Sequence, residues 1–157
     1  MARDRDETGR ARNARPRDAY GRPLPHGVEG EERVPDDYAA PPAEALAEAQ
    51  RLLDADRPFH AHEVLEAAWK SAPEAERELW QGLAQLAVGF THARRGNAQG
   101  AQSLLRRAAG RIAPYDPAPH GIAAPAIARH ARDLADRIGR DGLGTVTDAD
   151  LAPRLTR

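Results

Sequence analysis

Three residues whose side chains could do chemistry, His62, Glu66 and Trp69, fall on one face of a predicted helix. At 100° per residue, their spacing brings the three side chains within about 60° of one another. Phe59 and Leu65 flank the same face, so it is expected to be largely buried. A carboxylate and an imidazole on such a face must pair, accept or donate hydrogen bonds, bind a metal ion or lose their charge. The pattern therefore predicts a polar site on this helix.

Metal binding is the most specific chemistry that this spacing predicts. His62 and Glu66, four residues apart, can chelate one divalent ion, and His92 is the candidate third ligand. The run His62-Glu63-x-x-Glu66 has the outline of the zinc motif His-Glu-x-x-His, with Glu in place of the second His. Glu63 and Glu66 are then the candidate catalytic carboxylates for metal-assisted or acid–base hydrolysis. The expected cofactor is a divalent metal ion.

A second polar stripe lies on the next predicted helix. Residues 80–91 contain no charged residue, which is typical of a helix enclosed on all sides. Gln81, Gln85 and His92 share one face of this helix and are expected to need buried polar partners. The His–Glu pair of the preceding helix would supply them, which predicts a pocket for a small polar ligand between the two helices. The predicted ligand-binding residues are Gln81, Gln85 and Trp69, with Trp80 as a second aromatic wall.

Two glycines, Gly82 and Gly89, interrupt this otherwise favourable helix. Each costs about 1 kcal/mol relative to alanine inside a helix. Close packing against a neighbouring helix, or access for a ligand, is the expected compensation.

The same polar residues also fit a structural role, as a buried network that sets the register of two helices. In that case the protein is a non-catalytic helical interaction module. Its protein partner would contact the N-terminal arm or the Arg-rich fourth helix. The sequence leaves both functions open.

A group of arginines follows the polar stripe, and no Asp or Glu occurs between Leu79 and Tyr115. These arginines could hold a phosphate or carboxylate near the helix start at Asn97. Alternatively they face solvent, or pair with acidic residues of the first predicted helix, Glu44 and Glu48, and of the arm. Nucleic acid is not an expected partner, because the net charge is −1 and aromatic residues are only 4% of the chain. The arginines are Arg94, Arg95, Arg106, Arg107 and Arg111.

Proline, glycine and capping residues divide the chain into about five predicted helices and no strand. Short connections make neighbouring helices antiparallel, so the expected fold is an all-α, compact bundle built from helical hairpins. Asp56 is the predicted cap of the second helix. The first predicted helix runs from Pro41 to a point near Asp54–Asp56, and the second, with Pro58 near its first turn, runs to about Ser71. The third begins at Ser71 or Pro73 and runs to Arg94–Arg95, the fourth covers roughly Ala98 to Ile112, and the fifth covers about Ala124 to Ile138.

The chain is predicted to have three parts: an extended or disordered arm over 1–40, a helical bundle domain over 41–140 and a C-terminal tail over 141–157. Zero cysteines exclude disulfides, thiolate zinc sites and cysteine nucleophiles. No apolar run approaches the ~20 residues that cross a bilayer, and the first 40 residues lack the apolar core of a secretory signal. We therefore expect a cytoplasmic location and no membrane partner.

Two motifs together resemble the bacterial and archaeal domain-of-unknown-function family 309. The first is Phe59-His-Ala-His62-Glu63-Val-Leu-Glu66-Ala-Ala-Trp69. The second is Trp80-Gln-Gly-Leu-Ala-Gln85-Leu-Ala-Val-Gly-Phe-Thr-His92, followed by Arg95-Gly96-Asn97 and Gly100. The resemblance covers roughly residues 43–115, and Trp80 is a mild departure from the aromatic residue expected before Gln81.

This resemblance implies an all-helical domain with a His-x-x-x-Glu-x-x-Trp element at a suspected functional site. His62, Glu66 and Trp69 match that element, for which metal binding has been suggested without an established activity. The arm resembles extensions in actinobacterial members of the family, at Asn13-Ala-Arg-Pro16 and Gly21-Arg-Pro-Leu-Pro25.

Overall fold

The computed structural model describes residues 40–157, and these residues form helices and turns and no β-strand. One isolated β-bridge joins Ile122 to Thr156. The all-α fold is therefore confirmed for the described residues. The helices are α1 (Pro42–Asp54), α2 (Pro58–Ser71), α3 (Arg77–Arg94), α4 (Ala98–Ile112) and α5 (Ala124–Asp141), and short 3-10 turns cover Glu74–Glu76, Pro119–Gly121, Leu143–Thr145 and Ala149–Leu151.

The helix boundaries follow the local chemistry of proline, glycine and asparagine. Pro42 and Pro58 open α1 and α2, where a missing N–H costs nothing and the fixed φ suits a helix. Gly96 adopts φ +81° just after α3, the left-handed conformation that glycine tolerates best. The side chain of Asn97 accepts a hydrogen bond from the Gly100 N–H at 2.9 Å and so caps α4.

The start of α2 differs from the predicted one. Arg57, and not Asp56, occupies the N-cap position, and no side chain caps the helix. Asp56 instead adopts φ +59° in the turn between α1 and α2, and its carboxylate accepts a hydrogen bond from Nε of Arg94 at 2.9 Å. The acidic side chain thus ties the turn to the end of α3, a long-range contact that local sequence patterns do not show.

Each helix packs against its neighbour along the chain, and α3 lies between α2 and α4. Its apolar residues Leu79, Leu83 and Phe90 are 0% exposed, which agrees with an enclosed central helix. Successive helical hairpins therefore build the bundle, as the short connections predict.

The two glycines of α3 lie against α4. A Cβ atom built on Gly82 would stand 2.7 Å from Cγ1 of Ile112 and 3.3 Å from the carbonyl oxygen of Ala108. A Cβ on Gly89 would stand 3.0 Å from Cδ2 of Leu105. Close helix packing, the first of the two predicted compensations, is therefore the reason for both glycines.

The segment after α5 packs on the bundle rather than extending as a tail. Leu151 and Leu155 are 2% and 1% exposed and belong to the hydrophobic core. Gly142, at φ +77°, turns the chain back after α5. Burial of two leucines offsets the entropy cost of ordering this segment. We call residues 143–157 the return segment.

The predicted arm, 1–40, lies outside the described residues except for Ala40. The two stretches of the arm with family resemblance, 13–16 and 21–25, lie there as well. Among the described residues, none of the helices is long and apolar enough to cross a membrane.

We expect Gly82→Ala to destabilise the protein by about 1–2 kcal/mol. The added methyl overlaps Ile112, and overpacking of this kind costs about 1–3 kcal/mol, which exceeds the helix propensity gained. Gly110→Ala in α4 is the matched control, because a Cβ at that position would meet open space, and it should stabilise by about 0.5–1 kcal/mol. Urea unfolding of both variants measures the difference, and equal effects would contradict the packing argument.

Candidate functional site

An imidazole, a carboxylate and an ammonium form a row along α2. Nε2 of His62 lies 2.8 Å from Oε2 of Glu66, and Nζ of Lys70 lies 3.1 Å from Oε1 of the same carboxylate. The side chains of His62 and Glu66 are 20% and 25% exposed, and that of Lys70 is 46% exposed. The i,i+4 spacing of a helix produces both contacts. The predicted pairing of His62 with Glu66 is thus present, and Lys70 joins it.

The carboxylate of Glu66 is strongly stabilised in its charged form. The hydrogen bond from His62 lowers the pKa of Glu66 from 4.5 to about 2, against the opposing effect of burial, and Lys70 adds to the lowering. Glu66 therefore stays ionised at neutral pH. An anionic acceptor on Nε2 fixes the imidazole with its proton on that nitrogen.

The other ring nitrogen of His62 is enclosed. Its Nδ1 atom is buried, and no residue from 40 to 157 forms a hydrogen bond with it. The ring of Phe59 packs against the imidazole, with the ring centroids 5.5 Å apart. Nδ1 can accept a hydrogen bond when the ring carries a single proton, on Nε2.

Two further residues predicted for this site also lie on α2. Trp69 is half-buried, and the guanidinium carbon of Arg77 lies 5.9 Å from the centroid of its ring, in cation–π geometry. Glu63 is half-buried, and its Oε1 atom is enclosed. The face of α2 thus combines charged groups with an aromatic ring.

The predicted polar stripe of α3 bonds to α4 instead of α2. Oε1 of Gln85 accepts a hydrogen bond from Nε of Arg111 at 3.1 Å. The same guanidinium also bonds to Glu78, at 2.5 Å from NH1 to Oε2. Gln81, one turn before Gln85, is half-buried. The stripe lies on the side of α3 whose glycines pack against α4. A helical projection shows which residues share a face, but it does not show which helix that face contacts.

His92 ends the stripe and bonds to the α4 cap. The side-chain amide of Asn97 donates from Nδ2 to Nδ1 of His92, at 3.1 Å, while its oxygen accepts from Gly100. Gly100 leaves room for this pair, because a Cβ there would lie 3.1 Å from Nδ1 of His92. Burial lowers the pKa of His92, and the charge of Arg95 lowers it further. His92 is therefore neutral at physiological pH, with its proton on Nε2.

These hydrogen bonds therefore do not join the polar stripe of α2 to that of α3, although the sequence predicts that they do. Those of His62 run within α2, while those of Gln85 and His92 reach α4 and its cap. In the stretch 40–157, no three His, Asp or Glu side chains converge as a metal site requires. The ligand set of His62, Glu66 and His92 stays a prediction.

A cluster that sequence reasoning did not find surrounds Trp80. The ring, 1% exposed, donates from Nε1 to Oε1 of Glu76 at 3.1 Å. Nε2 of His120 lies 2.8 Å from the same oxygen. Burial raises the pKa of Glu76, but the hydrogen bonds from His120 and Trp80 outweigh it, so the pKa is lowered. His120 follows a proline-rich loop, and no sequence periodicity links it to α3.

Several of the arginines after the stripe pair with acidic side chains of the bundle. Arg94 joins Asp56 to Asp148. Arg106 bonds to Asp136 at 3.0 Å, and Arg111 bonds to Glu78. These contacts support the interpretation of the arginines as ion-pair partners, and the acids come from other elements than the predicted first helix.

The helices that carry these polar groups belong to a segment with known relatives. Residues 46–104 match the family model described as "Domain of unknown function (DUF309)". This match confirms the family resemblance. The DUF309 match runs from α1 into α4 and contains His62, Glu66, Gln85 and His92.

One curated relative is similar to this chain over a short stretch. The uncharacterized protein YpuF of Bacillus subtilis (strain 168) is 46% identical over 48 residues, which are 30% of this chain and 28% of the relative. The chain thus matches less than a third of YpuF. No solved structure matches.

We expect stability to fall as the pH drops from about 5 toward 2, through the protonation of Glu66. A carboxyl whose pKa is lower in the folded state stabilises above its unfolded pKa, and the stabilisation is lost as the pH falls to the folded pKa. The Glu66 contribution is of order 1–3 kcal/mol after allowance for partial exposure. Urea unfolding between pH 7 and pH 2.5 measures it. Glu66→Gln should flatten this slope, the exposed Glu74→Gln should not, and equal slopes in all three proteins would contradict the assignment.

We expect Asn97→Asp to raise the pKa of His92. Aspartate also caps a helix, but it replaces the amide donor at Nδ1 by a carboxylate that favours the imidazolium. Asn97→Ser keeps a capping oxygen without reaching the ring and serves as the control. NMR titration of His92 reads out the pKa in each protein. A pKa as low in Asn97→Asp as in the parent would show that the side chains do not meet in solution.

Proposed function

We propose that the segment that matches DUF309, residues 46–104, binds a small polar ligand. The binding site would be the face of α2 formed by His62, Glu66 and Trp69. The enclosed Nδ1 of His62 supports this proposal, because its lone pair has no hydrogen-bond donor in the described part of the chain. A buried polar atom without a partner costs about 1–3 kcal/mol. Because the atom is enclosed, a ligand would reach it only when a neighbouring side chain moves aside, and a hydrogen bond donated to Nδ1 would then remove that cost.

The direction of the hydrogen bonds favours a ligand role over a purely structural one. A network that sets helix register joins two helices, as Arg111 of α4 does with Gln85 and Glu78 of α3. The contacts of His62 and Lys70 with Glu66 run within one helix. They orient the imidazole and charge the carboxylate without linking α2 to a neighbour.

The surroundings of the carboxylate favour an organic ligand over a metal ion. Both oxygens of Glu66 are engaged, one by His62 and one by the ammonium of Lys70. A divalent ion would have to displace this ammonium, and the predicted third ligand, His92, bonds through Nδ1 to Asn97. A metal ion is therefore the second candidate, and NMR spectra of the histidine rings distinguish the two.

The chemistry that we propose for the bound state is proton transfer. His62 would accept a proton at Nδ1 from the ligand, and the carboxylate of Glu66 would stabilise the imidazolium. Glu66 then acts as a positioning residue through His62, and Glu63 is the further carboxylate that could reach a ligand. A cytoplasmic setting stays part of this proposal.

We would test this proposal with two-bond 1H–15N NMR spectra of the histidine rings. The spectra report which nitrogen carries the proton and whether a probe contacts the ring. The probes are urea, methylguanidinium, inorganic phosphate and Zn²⁺. A polar donor such as urea or methylguanidinium should shift Nδ1 of His62 selectively, and Glu66→Gln should weaken that binding at least tenfold.

His130 is the internal reference in this experiment, since its Nε2 already bonds to the backbone oxygen of Asp150 at 2.7 Å. A shift of His62 by Zn²⁺ alone would transfer the proposal to the metal ion. If no probe shifts His62 more than His130, the α2 face is not a binding site.

A further inference from the structure

Arg77 lies at the start of α3 and extends over the ring of Trp69 at the end of α2. Its guanidinium carbon is 5.9 Å from the centroid of that ring. The first turn of a helix is a place where the helix dipole favours acidic over basic side chains. In the described part of the chain, Arg77 forms no ion pair that would offset this disadvantage.

The acidic side chains on either side of Arg77 are engaged elsewhere. Oε1 of Glu76 accepts hydrogen bonds from Trp80 and His120. The carboxylate of Glu78 pairs with Arg111 of α4. The N–H donors of the Arg77 guanidinium are therefore not taken up by the neighbouring carboxylates.

Gln81 follows Arg77 by one turn of α3, so the two side chains project from the same face of the helix. Gln81 is half-buried, and its amide forms no hydrogen bond with the side chains or backbone of residues 40–157. Gln85, one turn further on, is held by Arg111. The Gln81 amide therefore projects beside the guanidinium that covers the Trp69 ring.

The charges along α2 leave this end of the α2 face positive. Glu66 pairs with Lys70, so these two charges cancel, and Glu63 precedes Trp69 by six residues, about 9 Å along the helix axis. Arg77 adds a positive charge beside the ring. A planar guanidinium binds a carboxylate through two parallel hydrogen bonds. One cation matches the single negative charge of a carboxylate better than the double charge of a phosphate.

We propose that Arg77, Gln81 and Trp69 form a carboxylate-binding subsite, and that the ligand of the α2 face is an organic acid. This inference rests on the ligand role proposed for His62, because the two ends of one ligand would bind at His62 and at Arg77. His62 and Trp69 are seven residues apart, about 10 Å along the helix axis. The ligand therefore carries its hydrogen-bond donor and its carboxylate on a spacer of several carbon atoms.

The first experiment measures carboxylate binding at the subsite. Butyrate, the neutral butyramide and inorganic phosphate are titrated into the full chain, and 1H–15N NMR follows Nε of Arg77 and the indole N–H of Trp69. Butyrate should shift both signals and bind about fivefold more tightly than the other two probes. Trp80 is the reference, because its indole N–H already bonds to Glu76. Equal affinities for butyrate and butyramide, or tighter binding of phosphate, would overturn the subsite.

Two arginine variants separate the subsite from a general charge effect. Arg77→Met keeps an apolar side chain over the Trp69 ring and should lower the affinity for butyrate about tenfold. Arg107→Met in α4 is the matched control, because Arg107 is exposed and forms no ion pair with the described residues. Gln81→Met should weaken butyrate binding about threefold. An affinity that falls as much in Arg107→Met as in Arg77→Met would contradict the assignment.

The second experiment joins the two ends of the site. The longer probe, 6-guanidinohexanoate, carries a guanidinium donor and a carboxylate on an extended spacer, whereas guanidinoacetate holds the same groups too close together to reach both residues. The longer probe should bind about tenfold more tightly and shift both Nδ1 of His62 and Nε of Arg77, and Arg77→Met should remove this advantage. Equal affinities for the two lengths would overturn the shared ligand. If butyrate shifts Arg77 while no probe shifts His62, the ligand role of His62 fails and the carboxylate subsite stands.

Discussion

The close approach of α3 to α4 is the constraint on which the remaining architecture depends. Gly82 and Gly89 present no side chain to α4, so Ile112 and Leu105 lie where a Cβ would otherwise stand. The two glycines lower the intrinsic stability of α3, and the van der Waals contacts that they allow with α4 compensate for this loss. This contact rotates α3 so that the stripe carrying Gln85 points at α4. The rotation decides which polar groups of the protein can meet.

As a consequence, two sets of polar residues have different kinds of partner. On the α4 side, Arg111 and Asn97 satisfy Gln85 and His92 across an interface, so these bonds help to hold helices together. On α2, the contacts of Glu66 with His62 and Lys70 run along one helix and leave an imidazole nitrogen enclosed. The first arrangement joins two helices, whereas the second joins side chains of a single helix.

Local physics made a large part of this molecule predictable from its sequence. The starts of α2 and α4 follow from Pro58 and Asn97, and the contact of His62 with Glu66 follows from a spacing that any helix provides. The neighbour of the α3 stripe was not predictable, because a helical projection defines a face and tertiary packing selects its partner. The packing of the return segment is not predictable from the sequence, because its anchors, Leu151 and Leu155, show no helical or strand period and its partners are remote in the sequence. The cluster of Glu76 and His120 was missed for the same reason.

The DUF309 match ends at residue 104, inside α4, whereas the packing continues without a break. Gly82 lies against Ile112, and Gln50 bonds to Leu155, so residues within the match depend on partners beyond it. The segment that matches the family model is therefore shorter than the part of the chain that packs together. A fragment cut to residues 46–104 would lose Ile112 and Leu155 as partners, so the matched segment alone does not contain everything that its own packing requires.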